Sequence, residues 1–192
     1  MSILVLTSDT LIGTPATGNI EYNGQFFGTD SNASRAQMQR ITQGTAVAST
    51  SGTSIDFTGL PAWIKRITVM FNGVSTSGTS LVIVQLGTSS GVETTSYLGA
   101  SQQGGSPVAY STGFLVSTSA LAASVRYGAV TLVNVSGNGW VYGGCIADTN
   151  ANWSVANAGV KSLSSTLDRV RITTVNGTDT FDAGTVNILY EG

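Results

Sequence analysis

WIKRITVMFNG, residues 63–73, is the stretch that decides the fold class. In an extended chain successive side chains point to opposite faces. Ile64, Arg66, Thr68 and Met70 then share one face, and Lys65, Ile67, Val69 and Phe71 the other. Both faces carry apolar groups, which predicts a central strand, ended by the turn signal Asn72-Gly73. DRVRITTVNG, residues 168–177, echoes it by running Arg-Ile-Thr into Asn-Gly again. The echo predicts similar buried settings for the first and last strands of a main domain. In a jelly roll those two strands would be neighbours in one sheet.

Outward from these two stretches the same texture continues. TSLVIVQLGTSSG (79–91), GFLVSTSA (113–120), ASVRYGAVTLVNVSG (123–137) and NGWVYGGCIAD (138–148) each read as a strand. Turn residues recur about every ten positions, which predicts an all-β sandwich or barrel and speaks against βαβ units. SYLGASQQGGSPVAY (96–110) and DTNANWSVANAG (148–159) read as long polar loops.

Composition narrows the function classes. Only 9% of the 192 residues are charged, against about 25% in an ordinary soluble domain. Ser and Thr make up about a quarter of the chain. The hydrophobic share of 41% is too high for disorder. The net charge is −2 and the 8 basic residues are scattered, so no stripe exists to track nucleic acid. MSILVLTSDT has no basic n-region and no small-residue cleavage site, and no segment reaches the ~20 apolar residues of a membrane span. Neither a signal peptide nor membrane insertion is expected.

The chain has no histidine, so Ser-His-Asp and Cys-His sites cannot be built. Its single cysteine, Cys145, can form no intrachain disulfide and is expected to be a small buried hydrophobe. The remaining candidates for chemistry are Asp168, Asp179 and Asp182. Asp179 and Asp182 could stand at glycosidase spacing or contribute to a calcium site. In NGTDTFDAG they read first as turn residues. No phosphate or dinucleotide fingerprint is present. The expectation is a protein that is not an enzyme, with no catalytic residue, cofactor or metal.

Residues 1–43 differ from the remainder, and a boundary is expected there, with a sandwich over 44–192. Ile20 and Tyr22 alternate with polar neighbours, Asn23-Gly24 suits a two-residue type I′ turn, and Phe26 and Phe27 follow. SNASRAQMQR then suggests a short helical turn over Arg35–Arg40 capped by Ser34. A lone hairpin is marginal in water. This arm is therefore expected to dock on another chain through Ile20, Tyr22, Phe26 and Phe27. MSILVLTSDT could add contacts with a partner.

Aromatic residues beside Asn, Gln and Ser combine flat apolar area with hydrogen-bonding groups, as sugar- and protein-contact surfaces do. Tyr97 and Tyr110 flank one polar loop, and Asn152 and Trp153 lie in the other. These four are the candidate receptor contacts. Trp63 and Trp140 are expected in the core.

TPATGNIEYNGQFFGTDSNASR (14–35) resembles a segment, Pro-x-x-Gly-x-Ile-Glu-Tyr-(Asp/Asn)-Gly-x-x-Phe, that precedes C-terminal domains in tail-fibre proteins of tailed bacteriophages and prophages. GTSIDFTGLPAWIKRITVMFNGVSTSGTS (52–80) and LDRVRITTVNGTDTFDAGTVNILYEG (167–192) resemble the opening and closing strands of a β-sandwich found at the ends of such fibres. The resemblance covers both ends of the chain strongly and its middle weakly. It implies a virion structural protein, a homotrimer with a jelly-roll-like antiparallel β-sandwich per chain and an arm that knits the trimer or docks on other virion proteins. It further implies a host-surface glycan or protein as receptor. With little chain ahead of the hairpin, a short fibre or tip anchored through another protein is expected. The alternative is a capsid head-fibre, decoration or tail-joining protein without a receptor.

Overall fold

The structure is a computed structural model that describes residues 10–11, 13–14, 16–23, 25–149 and 152–192. The expected partner contacts of residues 1–9, and Gly24 of the hairpin turn, lie outside the described residues. No helix occurs among those described, and every sheet is antiparallel. The chain divides into two compact units, Met1–Arg40 and Ile41–Gly192.

The first unit holds a three-stranded sheet of β1 (Ile20–Tyr22), β2 (Phe26–Thr29) and β3 (Arg35–Gln37). Tyr22 pairs with Phe26, so three residues separate the strands, where a type I′ turn would leave two. The helical turn expected over Arg35–Arg40 is instead β3. Asp30 explains the difference: its Oδ1 accepts the backbone N–H groups of Asn32 and Ser34, each at 2.9 Å. That Asx-type turn reverses the chain, and Arg35 returns opposite Thr29. Register places Ile20, Tyr22, Phe26 and Met38 on one face of the sheet. Phe27 lies on the other face with Glu21 and Arg35, whose side chains are ion-paired at 2.7 Å.

The second unit is a β-sandwich. Its strands are β4 (Ile41–Gln43), β5 (Val47–Ala48), β6 (Ser54–Phe57), β7 (Arg66–Thr76), β8 (Val82–Thr88) and β9 (Gly91–Val92). There follow β10 (Leu98–Gln102), β11 (Phe114–Leu115), β12 (Arg126–Ser136) and β13 (Gly139–Asp148). The last are β14 (Trp153–Ser162), β15 (Arg169–Thr174) and β16 (Phe181–Glu191). One sheet runs β10-β14-β13-β12-β7-β16-β4, with β5 also on β16. The other runs β11-β8-β15-β6, with β9 on β8. The strands β4/β5, β16, β7 and β12 face β6, β15, β8 and β11, and the chain winds between the two sets as in a jelly roll. The long β13–β14 hairpin and β10 widen one sheet beyond that plan. Residues 41–43, assigned to the arm from sequence, pair with β16 and belong to this unit.

The central strand expected at 63–73 is β7, between β12 and β16. It does not end at Asn72-Gly73. Gly73, at φ +71°, is skipped in the pairing with β12 and forms a bulge, after which the strand continues to Thr76. On β16, Gly184 at φ +93° is skipped in the same way. A Cβ on Gly184 would lie 2.3 Å from the Gly73 carbonyl oxygen, so the two bulges nest. The expected proximity of the two echo strands is not found. β7 and β15 lie in opposite sheets, because β16 takes the place beside β7.

Inward residues of both sheets make one core that includes Ile67, Val69, Val84, Leu132, Ile172 and Ile188. Each such side chain contributes about 1.5–3 kcal/mol when fully buried. Trp140 is in this core, and Trp63 packs against its edge on Tyr190. Under the widened part of the large sheet, Phe114 stacks on Tyr142 with centroids 4.5 Å apart and meets Tyr97 edge-on at 4.9 Å. Cys145, expected to be buried, is exposed. Its neighbour Ile146 takes the inward position on β13, and alternation turns the thiol outward.

Candidate functional site

The pairing register defines the two ends of the large sheet. At one end Trp153, Asp148, Arg126 and Val74 stand opposite one another across β14, β13, β12 and β7. At the other, Val133, Arg66, Glu191 and Ile41 do so across β12, β7, β16 and β4. Ile41 is the first residue of the sandwich unit. The chain therefore enters at the end opposite Trp153.

The Trp153 end is the candidate site. Strand β10 stops at Gln102, opposite Ala156, so β14 projects beyond it. Trp153 is inward by register but has no sheet opposite, and it is 45% exposed. Its ring lies over the loop after β10, where a Cβ on Gly104 would sit 3.6 Å from Trp153 Cζ3. Gln102 Nε2 donates to Gly105 O at 2.9 Å, and Thr118 Oγ1 donates to Gln103 Oε1 at 2.5 Å. Asn152 is exposed in the left-handed region at φ 55°, a conformation asparagine tolerates well. Leu121 is exposed nearby in sequence to the Thr118 anchor. The result is an exposed indole lying over a loop that Gln102, Gln103 and Thr118 hold in place.

Beneath this end the interior is polar. Arg126 and Asp148 are both buried. The Arg126 guanidinium donates to Ser124 O and Ser119 O at 3.4 Å each, and Ser117 Oγ donates to Asp148 Oδ2 at 3.2 Å. Ser119 and Ser124 share a hydroxyl bond at 2.5 Å. Burial pulls the Arg126 pKa down, and the charges of Asp148 and Asp182 oppose that shift. Arginine remains a cation throughout.

The other candidates fall elsewhere. Tyr97 is 1% exposed and cannot meet a receptor. Its hydroxyl accepts from Leu86 N at 2.7 Å and donates to Glu93 O at 2.8 Å, and burial pushes its pKa up. Beside it, Lys161 Nζ lies 2.6 Å from Glu93 Oε2 and 5.4 Å from the Tyr97 ring centroid. Burial alone would raise the Glu93 pKa. Hydrogen bonds from Lys161 and Ser164 outweigh it and hold the carboxyl below its ordinary value. Tyr110 is partly exposed beside β10 and β11, in a shallow hollow with Ser101, Val108 and Gly113. Of the four expected contacts, only Asn152 and Trp153 are brought together.

The carboxylates serve turns. Asp179 accepts from Ser80 N at 2.8 Å and Asn176 Nδ2 at 2.7 Å, with Asn176 the larger cause of its lowered pKa. Asp182 accepts from Ser75 Oγ, and Asp168 pairs with Arg169 at 2.9 Å. Among the described residues no three His, Cys, Asp or Glu side chains gather as metal ligands would. The sandwich also has a cleft of about 270 Å³ lined by Lys65, Asn134, Asn138, Trp140 and Thr166, at the chain-entry end.

Sequence reasoning missed that both supposed loops contain strands, β10 and β14. In β14 the inward positions are Val155, Asn157, Gly159 and Lys161, so apolar alternation is absent. The available signal was an alternation of small residues, S-V-A-N-A-G-V, without proline. No family model, curated protein or solved structure gives a significant match to this chain.

Proposed function

We propose that this chain is a structural protein of a tailed-bacteriophage virion: a fibre or adhesin, assembled as a homotrimer, that binds a host-surface receptor, a glycan by preference. The resemblance of residues 14–35, 52–80 and 167–192 to fibre modules supports the virion assignment. The observation that carries the receptor reading is the exposed Trp153 beside Asn152, at the end opposite the chain entry. An indole face receives the apolar face of a sugar ring, and neighbouring amides bond its hydroxyls. The arm's apolar face, with Ile20, Tyr22 and Phe26, would dock on neighbouring copies or other virion proteins.

The test is binding of the purified chain to an array of bacterial surface polysaccharides, with Trp153→Ala beside it. Losing the stacking contact is expected to weaken binding about 5–10-fold, while the thermal unfolding curve stays in place. Equal binding by both proteins would refute the assignment of Trp153.

A second reading is favoured by one observation: a cleft of about 270 Å³ in the sandwich lies at the chain-entry end. A head-fibre, decoration or tail-joining protein needs no receptor pocket at its outer end. Immunogold labelling of virions separates the two, since a decoration protein follows the capsid lattice and a fibre marks the tail.

A further inference from the structure

The outer face of the large sheet is not composed like a water-facing surface. Solvated faces of antiparallel sheets alternate in polar and charged residues. Here a row of Leu98, Val160, Val141 and Val133 crosses β10, β14, β13 and β12, and runs on into Arg66 and Glu191. Leu98 is 68% exposed, and Val135 beside the row is 65% exposed. The next row is Ala100, Ala158, Gly143, Thr131 and Thr68. The third holds Ala156, Cys145, Ala129 and Met70. In these three rows, among the described residues, Arg66 and Glu191 are the only charges, and they neutralise each other as an ion pair; Asp182, exposed at the opposite end of β16, lies outside the rows and accepts from Ser75 Oγ.

We propose that this face is buried against other copies of the same chain in the native assembly. Three features select that occupant. With strands ~4.8 Å apart and same-face residues ~6.6 Å apart along a strand, the fifteen residues of the three rows cover roughly 480 Å². A standard-size interface takes about 800 Å² from each partner, so the rows supply more than half of one. The three rows carry no net charge, so two copies meet there without repulsion, whereas a strongly charged partner would find nothing to pair with. Beside the valine row the face's residues are mostly Ala, Gly and Thr, which lets flat sheets approach closely, and charge is depleted at the patch centre as in interface cores. The inference deepens the self-association in the proposed function but does not rest on the virion or receptor assignments.

Cys145 provides the assay. It is the chain's sole cysteine and sits within the patch. The full-length protein is sized by light scattering against the 19.7 kDa chain, and its thiol is titrated with a maleimide in buffer and in guanidinium. The expected result is a multiple of the chain mass, with Cys145 reacting at least ~100-fold slower in buffer than when unfolded. Val141→Lys and Ala156→Arg, both outward substitutions, are each expected to shift the mass towards one chain and restore the reaction rate. A monomer in buffer overturns the proposal. So does an oligomer whose thiol reacts at the unfolded rate, or one that keeps its mass in both variants, and those last outcomes leave self-association through the arm standing. If both variants misfold, thiol protection in the unsubstituted protein decides.

Discussion

Glu93→Ala leaves the Lys161 ammonium, whose side chain is 4% exposed, without the carboxylate 2.6 Å away. Removing one member of a buried ion pair costs about 3–5 kcal/mol, because the survivor remains desolvated. Two features reduce that figure here. The Glu93 side chain is 21% exposed, so water enters the gap. The Tyr97 ring still faces the ammonium at 5.4 Å. Loss of the two bonds from Ser164, at 2.8 and 2.7 Å, works in the other direction. The net expectation is about 2–4 kcal/mol. Lys161→Met keeps the apolar stem and leaves Glu93 bonded to Ser164 and partly in water, at a cost of about 0–1.5 kcal/mol. The double variant is then expected to recover about 1.5–3 kcal/mol relative to the sum of the singles. Urea unfolding at one fixed protein concentration measures all three. A Glu93→Ala penalty no larger than that of Lys161→Met, or strict additivity, would refute the argument. The pH dependence has a fixed sign. Glu93 has its pKa lowered in the folded chain. The pair is thus fully stabilising above the unfolded glutamate value of about 4.3 and fades as pH falls through the lowered folded value. In Lys161→Met that acid limb is expected to flatten.

Three further outcomes follow from packing. Tyr97→Phe removes the acceptor of Leu86 N–H in a buried site and is expected to cost about 1–3 kcal/mol in the same urea experiment. Gly184→Ala puts a methyl group where the Gly73 carbonyl stands and forces alanine to a positive φ, for about 2–4 kcal/mol by calorimetry. Deleting residues 1–48 strips β4 and β5 from β16, and is expected to lower Tm by about 5–10 °C more than deleting 1–40, which leaves both strands in place.

What could be read from the sequence followed the strength of apolar patterning. Strand β7 was legible from Ile67, Val69 and Phe71, and the all-β class from the spacing of turn residues. The bulge at Gly73 was not, because Asn-Gly serves turns and bulges alike and only the partner strand distinguishes them. Ser34 looked like a helix cap because the competing acceptor, Asp30, lies four residues upstream. Tyr97 looked exposed because its neighbours are polar, yet its burial depends on Phe114 and Lys161, far along the chain. Asn152 and Trp153 were legible as an exposed pair, but their position at the end of β14 required the register.

The two ends of the sandwich are held by different interactions, and this bears on function. Near the chain entry Leu163, Leu167 and Ile64 belong to the continuous core. At the Trp153 end, the segment from Ser117 to Arg126 is fastened by directed bonds among Ser117, Ser119, Ser124, Arg126 and Asp148. Apolar loop anchors share the core, so a change in one is felt through close packing. Polar anchors of this kind act locally: each fixes one backbone segment and leaves the outward side chain independent of the interior. Leu121 is exposed in that sense, and at the same end Asn152 is exposed and Trp153, though inward by register, is uncovered. Substitutions at those three positions are therefore expected to cost the fold little, which is what the proposed receptor contact requires, whereas substitutions at Arg126 or Asp148 would leave a buried polar partner behind. A rigid scaffold with independently variable end residues is what a recognition surface needs, and here it is the buried Arg126–Asp148 layer that separates the two.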